Sequence, residues 1–435
     1  MSAKIKDLAR ISPYFRRLCS HRLLKSVKIL TQTSILSPVR SKSDRLLAFR
    51  EMRNRFLSAL GVASFLVLVT GNVIAQTTLK GAFNDRFLVG AALNDTQFSG
   101  GNPGEIALIK AQFNSISPEN VMKWDSLQPQ PGKFDFLAAD RYVRFGMENG
   151  MFIVGHTLVW HAQTPDWVFE GAKGKRLDRE TLLQRMRDHI HAVVGHYKGK
   201  VKSWDVVNEA LEGDGTLRDS PWRQVIGGDY IAKAFQFAHE ADPAAELFYN
   251  DYGIETGAKR EGALALIRKL KADGVPITGV GIQEHVGLSW PSSRDVNEAI
   301  AAFGRLGIKV AITELDIDVL PARTQSLNAD VKRREAVDPA LNPYATGLPD
   351  TVQQAVAHRY AELFGVYLQH PGIVERVTFW GVTDADSWLN NWPIRGRTSY
   401  PLLFDSAGRP KPAFYAVVGM GSADSRSNAH KPLVP

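Results

Sequence analysis

Two glutamates carry the first chemical signal in this chain. Glu209 stands in Trp204-Asp-Val-Val-Asn-Glu-Ala210 and Glu314 in Val310-Ala-Ile-Thr-Glu-Leu-Asp316. Each closes an apolar, β-branched run that reads as a strand. They lie 105 residues apart, so only a tertiary fold can bring them together. A carboxylic acid and a carboxylate facing one cleft can protonate a glycosidic oxygen from one side and attack the sugar from the other.

More polar groups sit at the downstream ends of similar runs. These are Ser117-Pro-Glu-Asn-Val-Met-Lys-Trp124, Gly155-His-Thr-Leu-Val-Trp-His161, Asn208-Glu209, Asn250-Asp-Tyr252, Gln283-Glu-His285, Glu314-Leu-Asp316 and Trp380. Taken singly, each has a plain structural reading. A terminal Glu is a solvated loop residue, Lys123 pairs with Glu119, His156, His161 and His285 are satisfied core histidines, and Trp380 and Trp388 are core. Their recurrence at seven run ends is what core packing does not explain. A metal held by these histidines with Glu119 or Asp316 is an open alternative, although no His-x-x-x-His or His-Glu-x-x-His spacing occurs. No metal and no cofactor are expected.

The elements that must position these groups alternate. Strand-like runs cover 88–93, 113–117, 152–156, 201–208, 246–250, 279–283, 310–314 and 374–380, with helix-like stretches such as 179–196, 231–241, 259–273 and 352–369 between them. Eight strands alternating with helices predict an α/β fold, a parallel (β/α)8 TIM barrel forming a single catalytic domain, whose site lies on the face made by the strand ends. A doubly wound open sheet is the alternative, but its glycine-rich phosphate loop is missing after the first run. Period-two alternation puts Gln283 and His285 on one side of the sixth run, Glu314 and Asp316 on one side of the seventh, and so His285 beside Glu314. Asn208 and Glu209 are adjacent, so both can serve one site only if the chain bulges or turns there.

Charge says little about partners. The chain of 435 residues has a formal charge of +8. However, 14 of its 53 Lys and Arg fall in residues 1–75 against 3 of its 45 Asp and Glu, leaving 39 basic and 42 acidic residues in 76–435. A nucleic-acid partner is therefore not expected. The one cysteine, Cys19, also lies in the leader. Arg53 and Arg55, the apolar stretch 56–69, and Val73 and Ala75 before Gln76 compose a secretory signal peptide over 52–75. The expectation is a secreted or periplasmic protein with no stable membrane association after cleavage. Translation is expected to begin at Met52, with 1–51 a basic extension ahead of the true start; a precursor peptide from 1–51 refutes this. The catalytic domain is expected over 79–418 and a tail over 419–435. The segment 321–349, rich in charge and proline, is long for a loop after the seventh strand and is expected to shape a cleft wall.

Together, Trp-Asp-Val-Val-Asn-Glu-Ala, Ile-Thr-Glu-Leu-Asp, Glu-Asn-Val-Met-Lys-Trp, His-Thr-Leu-Val-Trp-His and Pro401-Leu-Leu-Phe-Asp405 resemble the family 10 glycoside hydrolases, chiefly endo-β-1,4-xylanases. The resemblance spans about 79–418. It implies a retaining enzyme on a (β/α)8 barrel, monomeric, acting on xylan and xylo-oligosaccharides. It makes Glu209 the acid/base and Glu314 the nucleophile. It places Glu119, Asn120, Lys123, His156, Trp160, Asn208, Gln283, His285, Trp380 and Trp388 around the substrate, with the tryptophans offering faces to the sugars. It also implies a cis peptide between His156 and Thr157. Two positions depart from the usual pattern: Glu284 stands where a small residue is common, and Val286 where an aromatic is frequent. Another barrel glycosidase, or an inactive barrel that only binds carbohydrate, is the alternative.

Overall fold

Apolar runs bounded by turn residues become strands where both faces can be covered, and that is their fate here. The computed structural model describes residues 78–321 and 335–428. They lie in one compact unit that begins at Ala75. The expected extension, the expected signal peptide and the stretch 322–334 lie outside the described residues, as do positions 429–435.

The strands are β1 (Leu88–Leu93), β2 (Ser115–Pro118), β3 (Phe152–Val159), β4 (Ser203–Asn208), β5 (Glu246–Asp251), β6 (Gly279–Ile282), a short β7 (His285–Gly287), β8 (Lys309–Asp318) and β9 (Val374–Phe379). All pairings are parallel, in the order β6-β5-β4-β3-β2-β1-β9-β8, and β6 pairs with β8 to close the ring. The main helices follow in step: α1 (Pro103–Gln112), α2 (Leu137–Glu148), α3 (Arg179–His196), α4 (Tyr230–Ala241), α5 (Gly257–Ala272), α6 (Ser293–Gly304), α7 (Asp350–Tyr367) and α8 (Pro412–Asn428). This is a (β/α)8 barrel in a single domain. Among the described residues no helix is long and apolar enough to cross a membrane.

Local chemistry sets the boundaries. Asn102 caps α1 with Pro103 at its first position, and Asp178 accepts from the Thr181 amide at 2.9 Å to start α3. Ser292 and Asp295 form a reciprocal box at the start of α6. The strands are buried almost throughout because helices cover the outside of the barrel, which is why they read as apolar runs rather than alternating ones. Near the starts of β3, β5 and β9, the Arg376 guanidinium lies over the Phe152 and Phe248 rings. The polar groups are left at the opposite end.

Three boundaries differ from the sequence reading. The seventh strand runs on to Asp318, so Glu314 is inside it rather than at its end; its pairing with β9 shifts between Ile312 and Leu315. Gln283 and His285 do not share one continuous strand. The chain breaks at Glu284, whose φ is 58°, and restarts as β7 against the extension of β8. Finally, α8 continues past residue 418. Gly421 lies so close to the Leu79–Ala82 turn that a Cβ would sit 2.4 Å from the Ala82 carbonyl, and this contact carries the helix into the segment expected to be tail.

Candidate active site

The strand ends deliver their side chains to one cluster. On β4 the chain leaves the extended conformation at Glu209, with φ 56°. That turn lets Asn208 and Glu209 point to the same place. The Glu209 amide donates to the Asn250 carbonyl at 2.9 Å, and its carbonyl accepts from Arg218 Nε at 3.0 Å. Arg218 also donates to Leu211 O and to the Tyr252 hydroxyl, so one loop guanidinium holds the strained turn.

Glu209 is 5% exposed. Its Oε1 accepts from Gln283 Nε2 at 3.0 Å and Asn208 Nδ2 at 3.2 Å, and its Oε2 from the Trp160 indole at 2.9 Å. Glu314 is 4% exposed. Its Oε1 accepts from Asn250 Nδ2 at 2.7 Å, and its Oε2 lies 3.2 Å from His285 Nε2. Asn250 Nδ2 also reaches Asn208 Oδ1 at 2.9 Å, so one amide network joins the two acids. Gly281 makes room for it, since a Cβ there would fall 2.3 Å from Asn250 Oδ1.

The two carboxyls are held in opposite states. Burial first, then the nearby Asp251 and Glu314 charges, raises the pKa of Glu209 against the hydrogen bonds from Gln283 and Trp160. Burial would also raise Glu314. There, however, the hydrogen bond from His285, attraction to His156 and His285, and the Asn250 amide outweigh it and leave the group below its usual value. His285 sits between two acids, with Nδ1 3.0 Å from Asp316 Oδ1 and Nε2 facing Glu314. Burial opposes its charge, but Asp316 and Glu314 push it up to about 10. It is an imidazolium at neutral pH. A raised acid beside a lowered one is the arrangement of a proton donor paired with an ionised attacker.

Beside this cluster, reached through Lys123, Trp380 and Trp388, opens a cleft of about 1110 Å³ that neither Glu209 nor Glu314 lines. Among its walls are Glu119, Asn120, Lys123, Gln163, Trp380 and Trp388. Lys123 donates to Asn120 Oδ1 at 3.0 Å and Gln163 Oε1 at 2.8 Å, not to Glu119. Its burial lowers its pKa despite Glu314, Glu119 and Glu209 nearby. Burial raises Glu119, with Asp386 adding to the rise against Lys123. His156 bonds Asp205 at 3.0 Å and packs edge-on against Trp380, and its peptide to Thr157 is cis, as the resemblance implied. Trp388 donates to Asp316 at 2.8 Å and packs against Trp392 and His285. Trp160 is different. It is 5% exposed, its ring lies under Lys123 and its indole N–H is spent on Glu209, so it offers no open face.

Comparison with known proteins decides the family. A profile of glycosyl hydrolase family 10 matches residues 78–420. The chain belongs to glycosyl hydrolase family 10. A beta-1,4-xylanase of Dictyoglomus thermophilum is 44% identical over 346 residues, covering 78% of this chain and 90% of that one. Endo-1,4-beta-xylanase A of Xylanibacter ruminicola is 42% identical over 343 residues, covering 79% and 93%. The structure of a family 10 endoxylanase retrieved from a sugarcane soil metagenome superposes with a TM-score of 0.76 at 44% identity, covering 79% and 99%.

Within this family 10 chain, sequence reasoning missed Arg218, which stands in a loop nine residues past Glu209 and carries no local signal. It also missed Asp205 and Gln163. The first could have been suspected from alternation, since it lies on the same side of its strand as the end-of-run groups. The stretch 335–349 packs on the loop after β9, with the Glu335 amide bonded to Pro393 O and the Tyr400 hydroxyl to Tyr344 O. Among the described residues, those lining the cleft come from elsewhere.

Proposed function

We propose that the protein is a retaining endo-β-1,4-xylanase, exported and monomeric, that cuts internal bonds of xylan through a covalent glycosyl-enzyme. The observation that carries this reading is the bonded network that holds Glu209 and Glu314 together with opposite pKa displacements. Protonated Glu209 gives its proton to the glycosidic oxygen as that bond breaks. Ionised Glu314 attacks the anomeric carbon and forms the ester. Glu209, now a carboxylate, takes a proton from water. The water oxygen attacks the same carbon and Glu314 leaves as the carboxylate. Asn208 is placed to bond the sugar 2-hydroxyl, a contact that strengthens at the transition state. Glu119, Asn120, Lys123, His156, Gln283 and His285 address hydroxyls, while Trp380 and Trp388 offer apolar ring surface.

Xylan as the substrate rests on the relatives, which are named xylanases and match nearly end to end. Export rests on residues 52–75. The test is reducing-sugar release from purified xylan, cellulose, galactan and mannan, with proton NMR of the first products. Release from xylan with the β anomer appearing first supports the reading. Release from another polymer replaces the substrate, the α anomer first removes the retaining mechanism, and no release from any polymer leaves a barrel that only binds carbohydrate.

A further inference from the structure

Behind the strand break lie two buried acids that the mechanism above does not use, Glu255 and Glu284. Glu284 occupies the residue where the chain turns left-handed between β6 and β7. Its neighbours in sequence carry the site: Gln283 holds Glu209, and His285 holds Glu314. Its own side chain turns the other way, to α7, and its Oε2 accepts from the Tyr367 hydroxyl. Among the described residues its Oε1 has no hydrogen-bond partner, and the residue is 0% exposed. The charged and titratable groups that face it are few. Glu255, from the loop after β5, is itself pushed up to about 7 by burial and repels Glu284 once ionised, and Tyr367 offers a neutral hydroxyl. Arg359, also on α7, attracts it from a distance while spending its donors on Gly287 O, Pro291 O and Ser293 Oγ. On the site side, the Asp316 amide approaches the Glu284 carbonyl at 3.4 Å.

A carboxylate in that setting would be a buried ion with one neutral partner and no bonded cation, which is strongly unfavourable; a carboxylic acid is not. Side chains seldom adopt φ near 58° unless the surroundings force it, and the buried carboxyl anchored on Tyr367 supplies that constraint. We propose that Glu284 is a positioning residue whose uncharged carboxyl, fixed on Tyr367, locks the turn that aims Gln283 at Glu209 and His285 at Glu314. Burial, and then the Glu255 charge, pushes its pKa up to about 8, in agreement with the geometry. The inference rests on the roles proposed above for Glu209 and Glu314.

Two experiments test it on the full chain. The first needs no substrate, so it stands apart from the functional reading. The folded pKa lies above the unfolded one, so wild type loses stability relative to a neutral isostere as pH rises from about 4.5 toward 8. The melting temperature of Glu284→Gln should therefore gain on wild type by about 2 °C or more between pH 5 and pH 8. A gap that stays constant with pH overturns the uncharged carboxyl. The second experiment uses kcat and KM at pH 6. Glu284→Ala and Tyr367→Phe should lower kcat by about tenfold or more with KM nearly unchanged, because a misplaced catalytic group costs rate more than binding. Glu284→Gln should restore kcat. Should Glu284→Ala fail to fold, Tyr367→Phe carries the test alone. A Tyr367→Phe kcat within twofold of wild type, in protein that melts lower, shows a merely structural contact and overturns the positioning role.

Discussion

Replacing His285 by Asn removes the cation that keeps Glu314 ionised. The rise of His285 from 6.5 to about 10 is equivalent to about 5 kcal/mol of net attraction. Two acids, Asp316 and Glu314, share it at 3.0 and 3.2 Å. The two distances are nearly equal, so Glu314 takes a substantial share of that attraction. Without the imidazolium, burial is opposed by fewer groups, among them Asn250, His156 and the nearby Lys123, and the pKa of Glu314 rises. Glu314 must be ionised to attack, and a hydrogen bond to a charged group contributes about 1.5 kcal/mol or more, so the acid limb of the pH profile should move to higher pH by about a unit. The assay is kcat/KM against pH with an aryl xylobioside whose leaving group needs no proton, so that Glu209 does not shape the curve. His285→Asn should then lose far more activity at pH 5 than at pH 7. An acid limb that stays in place, with activity lowered equally at all pH values, would refute the claim that His285 acts by holding the charge on Glu314.

Further outcomes follow from the same network. Glu314→Ala should leave turnover below about one part in ten thousand on any substrate, whereas Glu209→Ala should cost kcat/KM on xylan about 100- to 10,000-fold and spare kcat/KM on dinitrophenyl xylobioside, whose first step needs no proton, while kcat falls because the second step has lost its base; equal losses of kcat/KM on both substrates contradict the assigned roles. Trp160→Phe deletes a donor that favours the Glu209 carboxylate, so the alkaline limb on xylan should move up by about one pH unit, and a downward move contradicts that bond. Arg218→Met should lower kcat by about tenfold or more with KM within about twofold, because it frees the Glu209 turn rather than a substrate contact; a raised KM with unchanged kcat contradicts this.

The barrel was legible because parallel strands, covered on both faces, must be apolar runs of a few residues, and their helices must alternate with them. The turn at Glu209 was legible for a similar reason: adjacent Asn208 and Glu209 cannot face one site from a regular strand. The break at Glu284 was not, because period-two alternation already put Gln283 and His285 on one face and nothing demanded a turn. Glutamate is also not a residue that advertises a positive φ. Arg218 was hidden because it holds the turn through the Glu209 and Leu211 carbonyls, and backbone partners leave no trace in residue types. The Trp160 indole was assigned an open ring face because sequence shows an aromatic but not what covers it; here Lys123 and Glu209 take both its ring and its N–H.

The most direct measurement is to trap the covalent intermediate. A 2-fluoro-xylobioside with a dinitrophenyl leaving group should inactivate the enzyme with release of one equivalent of dinitrophenol, and peptide mass spectrometry should place the added sugar on Glu314. An adduct on another residue, or no adduct while the enzyme still turns over xylan, would contradict the account.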